Sequence, residues 1–347
     1  MRICIVGAGA IGGYVAVKLA LAGEEVTVIA RGDHLKAIRQ NGLTLLDHDG
    51  TEVGVAKNIR ATDSIAEAGK QDVVILAVKA HQVIDVVDEL PLLYGPDTVM
   101  VTMQNGIPFW YFKKLGGNYE DLPVHIVDPE GEVLKRVDIE RVIGCVVYPA
   151  ADRVRPGVIR HIEGDRFPLG ELDGRPSERI KKVSEVFTHA GMKAPVFSSE
   201  SERPGTRNIR DEIWLKLWGN LSFNPISALT HATLVDLCTY PLTHDLAASM
   251  MREAQAVAEK LGASFRVSLE RRIEGGAEVG KHKTSTLQDV EAGHEIEVDA
   301  LIGAVQELGQ VTKTPTPHID SVFALVKLLA KVMKDEHVAI KPVPVSS

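Results

Sequence analysis

The stretch MRICIVGAGAIGG, residues 1–13, decides the fold of the first half of this 347-residue chain. Its first part, Arg2–Val6, is short and mostly apolar, which is typical of a strand buried in a parallel sheet. The glycines of a G-x-G-x-x-G spacing follow, at Gly7, Gly9 and Gly12. A helix is predicted next, over Tyr14–Leu21. Strand, glycine turn and helix in this order make the spacing a dinucleotide-binding fingerprint.

Each glycine of this turn has a physical task in such a fingerprint. Gly7 permits the tight turn, Gly9 lets the backbone approach a pyrophosphate, and Gly12 lets the helix pack closely on the strand. Ala10 and Ile11 lie between these glycines, and the positive N-terminal end of the helix that follows faces the phosphates. These five residues are therefore predicted to bind the cofactor. The alternative is a glycine-rich corner without a ligand, which the flanking strand and helix disfavour.

Composition and charge limit the class of protein. The chain is long enough for two domains, and its 45% hydrophobic and 25% charged residues are typical of a globular protein. The 39 basic and 47 acidic residues give a net charge of -8, which argues against nucleic-acid binding. The three cysteines are widely spaced in apolar contexts, which predicts reduced core thiols rather than disulfides or a zinc site. They are Cys4, Cys145 and Cys238.

The chain also carries expectations about location. A buried strand that starts at Arg2 leaves no room for a signal peptide. No apolar run reaches the length that crosses a membrane. We therefore expect a cytoplasmic protein that does not contact a membrane.

The residue after the second predicted strand, Glu25–Ala30, bears on which dinucleotide is bound. NAD-binding sites carry Asp or Glu there, which hydrogen-bonds the ribose 2′-hydroxyl. This chain has Arg31, whose guanidinium can hold a 2′-phosphate through paired, charge-assisted hydrogen bonds. Asp33 comes too late for the ribose contact and is expected to cap a helix over His34–Gln40. Arg31 therefore predicts NADP(H), with a plain surface arginine as the alternative.

Two further apolar runs predict strands that end near the cofactor. They are Asp72–Val78 and Thr98–Met103, and a polar cluster follows each of them. Ligands of such sheets lie beyond the carboxyl ends of the strands. Lys79 and Asn105, in these clusters, are therefore candidate site residues, and the alternative is that they satisfy local backbone groups.

The rest of the chain divides into a mixed and a helical part. Residues 107–140 are irregular and are interpreted as an insertion, and further short strands are predicted before residue 200. After Pro204-Gly205 the pattern is helical. We predict a Rossmann-type doubly wound sheet domain over residues 1–206, an all-helical substrate and dimerisation domain over residues 207–340, and a tail over residues 341–347.

The first helix of the second domain carries a polar stripe. Lys216, Asn220 and Asn224 are spaced i, i+4 and i+8, so a helix places them on one face. Bulky apolar residues surround them, and a lysine there is costly to bury without a polar ligand. The alternative is a solvated stripe. Asparagine favours a site, because it is a mediocre helix former that a surface stripe would rarely use.

Six segments in this order resemble the ketopantoate reductase (2-dehydropantoate 2-reductase) family over nearly the whole chain. They are GAGAIGG from Gly7, VKAHQV from Val78, QNG from Gln104, IWLKLWGNLSFNPISALT from Ile213, STLQD from Ser285 and EIEVD from Glu295. The resemblance implies that NADPH delivers a hydride to the ketone of a small-molecule 2-oxo acid, giving a D-2-hydroxy acid. The default substrate is 2-dehydropantoate, and a homodimer is expected.

The resemblance also implies roles for individual residues. Lys216 corresponds to the catalytic lysine, a general acid, and Glu297 to the glutamate that engages the hydroxyl side of the substrate next to the cofactor. Ser285 corresponds to the serine that contacts the substrate carboxylate, while Asn220 and Asn224 match substrate-contacting asparagines. Asn105 corresponds to the asparagine between nicotinamide and substrate, and Lys79 to a lysine on the cofactor side.

Alternatives stay open at this point. Glu295 competes with Glu297 for the glutamate role, because both belong to one acidic cluster. Residues 107–140 and the segment His231–Leu234, where well-studied members offer a further asparagine, depart from the family pattern and leave the exact substrate open. A related hydroxy-acid dehydrogenase of the 6-phosphogluconate type and a non-catalytic NADP-sensing protein are the competing functions.

Overall fold

A computed structural model describes residues 1–343; residues 344–347 of the predicted tail lie outside the described part. The strands are β1 Arg2–Val6, β2 Glu25–Ile29, β3 Leu43–Leu46, β4 Glu52–Ala56, β5 Arg60–Thr62, β6 Gln71–Leu76, β7 Tyr94–Thr102, β8 Val142–Cys145, β9 Ala150–Arg155, β10 Val158–Glu163, β11 Leu169–Glu171 and β12 Val196–Phe197. The helices are α1 Ala10–Leu21, α2 Gly32–Asn41, α3 Ile65–Ala68, α4 Glu132–Arg136, α5 Glu178–His189, α6 Ile209–Thr230, α7 Leu234–Thr239, α8 Pro241–Lys260, α9 Leu269–Glu278, α10 Ser285–Ala292, α11 Ala304–Thr312 and α12 Pro317–Glu336. Within residues 1–343, no helix combines the length and the apolar character needed to cross a membrane.

The main sheet has eight strands in the order β12-β11-β8-β7-β6-β1-β2-β5. All neighbouring pairs are parallel except β8 and β11. Both faces are covered, because alternate residues of one strand enter different cores: Ile3 and Ile5 pack on one side, Cys4 and Val6 on the other. The predicted class, an α/β sheet domain followed by a helical domain, is confirmed. The three cysteines are free and buried, as predicted.

A second sheet, in the order β4-β3-β10-β9, was not predicted. It packs over α1, where the side chain of Ile159 lies so close to Gly13 that a Cβ there would be 2.7 Å from Cγ1. Its central pair, β3 and β10, is parallel and joins segments far apart in the chain. Each strand alone is short, so the local pattern gave no sign of the pairing.

Residues 107–140 form a partly buried connection between β7 and β8. They contain short 3-10 turns and α4, and Trp110, Tyr111 and Phe112 are almost completely buried. The aromatic side chains fill the space between the sheet and the helical part, which explains why the segment is long yet packed.

The predicted cap at Asp33 is wrong. The helix α2 already starts at Gly32, and Arg31 is its N-cap without a side-chain hydrogen bond. Asp33 therefore lies in the first turn, where its carboxylate meets the Lys36 amine at 3.0 Å and faces the positive end of the helix.

Helix α6 is anchored to the sheet at its first turn. Arg210 is buried, and its guanidinium donates to the carbonyls of Tyr111, Lys113 and Leu172 at 2.6–2.7 Å. Glu212, fully buried, accepts from Arg166 of the sheet domain at 2.7 Å and from Arg266 of the helical domain. These contacts fix the position of α6 relative to the sheet.

Candidate active site

The glycine turn after β1 has the shape of a phosphate cradle. Gly7 has a positive φ of 103°, which strongly favours glycine. A Cβ at Gly12 would lie 2.0 Å from the Gly7 carbonyl oxygen, so α1 could not start so close to the strand. A Cβ at Gly9, in contrast, would meet no atom of the described chain within 4 Å. The open space above Gly9 and the free N–H groups of Ala10 and Ile11 fit a dinucleotide.

A cavity of about 280 Å³ adjoins this turn at the end of β2. Its lining includes two arginines, Arg31 and Arg153, and one carboxylate, Asp85. Sequence reasoning missed Arg153, because it stands on β9 of the second sheet and reaches the cavity only through that unpredicted pairing. Because the cavity has two arginines and only one carboxylate, it suits a ligand that carries a phosphate group.

His34 holds the walls of this cavity together. Its Nε2 lies 2.8 Å from the Ala8 carbonyl, and its Nδ1 lies 3.0 Å from the backbone N–H of Gly157. Because the carbonyl accepts and the N–H donates, both bonds fit one neutral tautomer. Burial lowers the pKa of His34 below its usual value, which keeps the ring in that form. Sequence reasoning assigned His34 only to a helix.

The loop after β7 brings the sheet domain to the helical domain. Gly106 has a φ of 81°, and a Cβ there would lie 2.1 Å from the Ala300 carbonyl oxygen. The next residue, Ile107, donates its N–H to that carbonyl at 2.9 Å. Asn105 is thereby placed at the boundary of the two domains. Glu297 lies three residues before Ala300 in the chain, so the same approach brings it near.

Lys216 reaches across this boundary from α6. Its Nζ donates to Oδ1 of Asn105 at 2.5 Å and to the carbonyl of Val147. Burial lowers the pKa of Lys216 to about 8, while the negative charge of Glu297 acts in the opposite direction. The lysine therefore stands where a proton can be given up near neutral pH.

The structure distinguishes the two candidates for the site glutamate, Glu295 and Glu297. Glu295 is exposed, and its carboxylate lies 3.3 Å from Nε2 of His81. Glu297 is half-buried and close enough to act on the charge of Lys216. Lys79 spans the cleft, because its amine donates to the Glu295 carbonyl at 2.7 Å and lies 3.5 Å from Asp289.

A cavity of about 660 Å³ opens between the two domains beside the lysine. Five residues predicted at the catalytic and substrate site line it: Asn105, Lys216, Asn220, Asn224 and Ser285. Ser285 is the first residue of α10, so its hydroxyl stands at the positive end of that helix. Ile11 of the glycine turn lines the same cavity. The fingerprint and the polar stripe, far apart in the sequence, thus face one space.

Sequence reasoning missed an arginine of this cavity, Arg272 on α9. Its Nη2 would lie 2.2 Å from a Cβ at residue 219, so it occupies a notch that Gly219 leaves in α6. A glycine inside a helix lowers its stability relative to alanine and often marks a close approach. The Gly219 position was therefore a signal in the sequence for a group that packs against α6.

The arrangement suits reduction of a carbonyl group. Negative charge develops on the oxygen of a ketone as hydride is added, and a cation held beside it stabilises that charge. Lys216 is a cation at the cavity with a lowered pKa, and its amine is oriented by the oxygens of Asn105 and Val147. Hydroxyl and amide groups of the other four residues offer hydrogen bonds to a small polar ligand.

Comparison with known proteins gives consistent matches over almost the whole chain. Residues 3–174 match the family model described as Ketopantoate reductase PanE/ApbA, and residues 208–330 match its C-terminal model. A 2-dehydropantoate 2-reductase of Mesorhizobium japonicum is 50% identical over 95% of this chain and 98% of that protein.

Solved structures agree. The crystal structure of a putative ketopantoate reductase from Ralstonia solanacearum MolK2 has a TM-score of 0.87 at 39% identity, covering 96% of this chain and 98% of that one. That of 2-dehydropantoate 2-reductase from Methylococcus capsulatus has a TM-score of 0.77 at 27% identity, covering 96% and 98%.

Proposed function

The chain belongs to the ketopantoate reductase family, and from this we propose that it reduces the ketone of a 2-oxo acid to a 2-hydroxy acid with NADPH. It is an oxidoreductase, and the default reaction is 2-dehydropantoate to D-pantoate. The observation that carries the proposal is the Lys216 amine, buried where the sheet domain meets the helical domain and bonded to Asn105.

Lys216 acts as the general acid in this proposal. The bound nicotinamide supplies the hydride. As charge develops on the ketone oxygen, the Lys216 ammonium stabilises it and then donates a proton from Nζ. Asn105 orients the amine through its Oδ1, and the carboxylate of Glu297 favours the protonated form. Glu297 also engages the hydroxyl side of the substrate in this reading.

The carboxylate and the remaining polar atoms of the substrate have partners along the same cavity. Ser285, at the N-terminus of α10, offers its hydroxyl and the helix dipole to the carboxylate. Asn220 and Asn224 follow Lys216 on successive turns of α6, and their amides contact the substrate. Together these groups hold the ketone carbon in one orientation.

The family uses a nicotinamide cofactor, and we propose the 2′-phosphorylated form for this chain. Gly7, Gly9, Ala10, Ile11 and Gly12 would hold its pyrophosphate. The cavity with Arg31 and Arg153 would hold the ribose 2′-phosphate. Lys79 follows β6 at the cofactor side of the cleft, and we assign it a contact to the cofactor.

An absorbance assay tests the proposed reaction. Purified protein is expected to oxidise NADPH in the presence of 2-dehydropantoate, and the absorbance of NADPH follows the rate. A panel of other 2-oxo acids serves as the comparison. Faster turnover of another acid would assign a different substrate within the same reaction, whereas NADPH binding without oxidation by any acid would indicate a cofactor-sensing protein.

We also propose a homodimer. Three apolar side chains of α12 are exposed at helical spacing, Leu325 (57% exposed), Leu328 (58%) and Val332 (41%), and they form one stripe. Covering such an apolar stripe with a second copy of the chain removes it from water, which stabilises the dimer. Light scattering is expected to give twice the monomer mass at micromolar concentration, and Leu328→Glu is expected to shift the mass toward the monomer. A wild-type monomer throughout this range would contradict the proposal.

A further inference from the structure

Arg272 enters the substrate cavity from α9 and has no hydrogen-bonded or ion-paired partner for its side chain among residues 1–343. Its guanidinium carbon lies 5.7 Å from the centre of the Phe223 ring, and one of its nitrogens fills the notch at Gly219. Gly219 and Phe223 lie on the face of α6 that also presents Lys216 to the cavity. The guanidinium is thus held beside the proposed reaction centre by packing alone.

The other arginines of the cavity form ion pairs with carboxylates. Arg166 and Arg266 share Glu212, at 2.7 Å and 3.0 Å from its Oε1. Arg271 bonds Glu278 at 2.8 Å. Within the described residues 1–343, the Arg272 side chain takes part in no hydrogen bond and no ion pair.

A partly buried guanidinium without a partner is energetically unfavourable. Burial lowers the pKa of Arg272 below its ordinary value, which reports the same loss of hydration. The loss is offset when an anion forms charge-assisted hydrogen bonds with the guanidinium. The planar fork of an arginine matches the two oxygens of a carboxylate.

We propose that Arg272 is a specificity-determining residue that binds the carboxylate of the 2-oxo acid. The inference rests on the proposed function and deepens it, because it explains how a charged 2-oxo acid is chosen over an uncharged ketone. Ser285 and the N-terminus of α10 offer a hydroxyl and a partial charge, and Arg272 adds the full positive charge. Gly219 is the residue that makes room for it.

The first experiment compares a charged with an uncharged substrate. In Arg272→Gln, the KM for 2-dehydropantoate is expected to rise about 10- to 100-fold, the range of a lost charge-assisted hydrogen bond. The KM for the uncharged lactone of the same acid is expected to stay unchanged, and kcat for the acid to change much less than KM. Arg252→Gln removes the same charge from an exposed position of α8, outside this cavity, and is expected to behave as wild type.

A second variant separates position from charge. Gly219→Ala keeps the arginine but places a methyl group where the guanidinium nitrogen lies. Because the end of an arginine side chain is flexible, the fold is expected to persist, as circular dichroism and the melting temperature report. The KM for 2-dehydropantoate is expected to rise while the KM for the lactone does not.

Binding of oxalate, a planar carboxylate analogue, gives a readout that needs no turnover. Oxalate is expected to raise the melting temperature of the wild type and of Arg252→Gln, and not of Arg272→Gln. If the wild type reduces no 2-oxo acid, the proposed function fails, and the oxalate result still decides whether Arg272 binds a carboxylate. An Arg272→Gln variant that keeps both the preference for the acid over the lactone and the oxalate shift overturns the inference.

Discussion

Lys216→Ala is expected to lower kcat for NADPH-dependent reduction of 2-dehydropantoate by about 10³-fold. The variant loses both the proton donor and the cation that stabilises the developing alkoxide, and neutral water is a weaker acid and carries no positive charge. NADPH affinity, followed by cofactor fluorescence, is expected to change little, because the glycine turn lies on the other domain. Steady-state kinetics with both substrates saturating measure the effect.

The pH dependence of the wild type checks the same assignment. The general acid must carry its proton, and the pKa of Lys216 lies at about 8. The rate of reduction is therefore expected to be constant below that pH and to fall above it, by about tenfold for each further unit. Lys216→Ala is expected to lack this decline.

The matched control is Lys182→Ala, which removes an exposed lysine from α5. It is expected to retain the wild-type rate and pH profile. The assignment of Lys216 as proton donor would be contradicted if kcat of Lys216→Ala were within tenfold of the wild-type value. It would also be contradicted if the wild-type rate did not fall in alkaline solution.

Arg31→Gln is expected to raise the Kd for NADPH by roughly 30-fold and to leave the Kd for NADH unchanged. The reason is that the guanidinium lines the cavity beside Gly9. The 2′-phosphate of NADPH offers it negative charge there, whereas the 2′-hydroxyl of NADH is neutral. Fluorescence titration with each cofactor measures the two constants.

A second arginine, Arg153, provides a further test of the 2′-phosphate site. The same substitution at Arg153, which lines the same cavity, is expected to weaken NADPH binding in the same selective way. Lys36→Gln, an equal change of charge on the exposed face of α2, serves as the control. Equal losses for NADPH and NADH in Arg31→Gln would show that the arginine does not read the 2′-phosphate.

The sequence predicted those features whose structure depends on one short segment of the chain. The glycine spacing of residues 7–12 and the i, i+4, i+8 spacing of the stripe on α6 each depend on one element, so the sequence alone was enough to locate both. The resemblance to the family joined Ser285 and Glu297 to that stripe, and the structure places Ser285 in the same cavity and Glu297 close enough to act on the Lys216 charge.

What sequence reasoning missed depends on distant contacts. Arg153 reaches the cavity beside the glycine turn because β9 pairs with β10, and β10 with β3. Gly219 signals a close approach to α6, but it does not identify Arg272 as the group that approaches. Nor does any single segment show that the other arginines of the cavity are paired while, among residues 1–343, Arg272 is not. Residues 107–140 were interpreted as an insertion because their turns are irregular. Their buried aromatic side chains instead fill the space between the sheet and the helical part.

Glu212 has a consequence for attempts to dissect the chain. One carboxylate accepts hydrogen bonds from Arg166 on one side of the molecule and Arg266 on the other. A recombinant fragment that ended before α6 would retain Arg166 but lose the carboxylate, and the complementary fragment would keep a buried acid with half of its counter-ions. The two halves are therefore not interchangeable modules, and a chimera with a relative has to exchange all three side chains together.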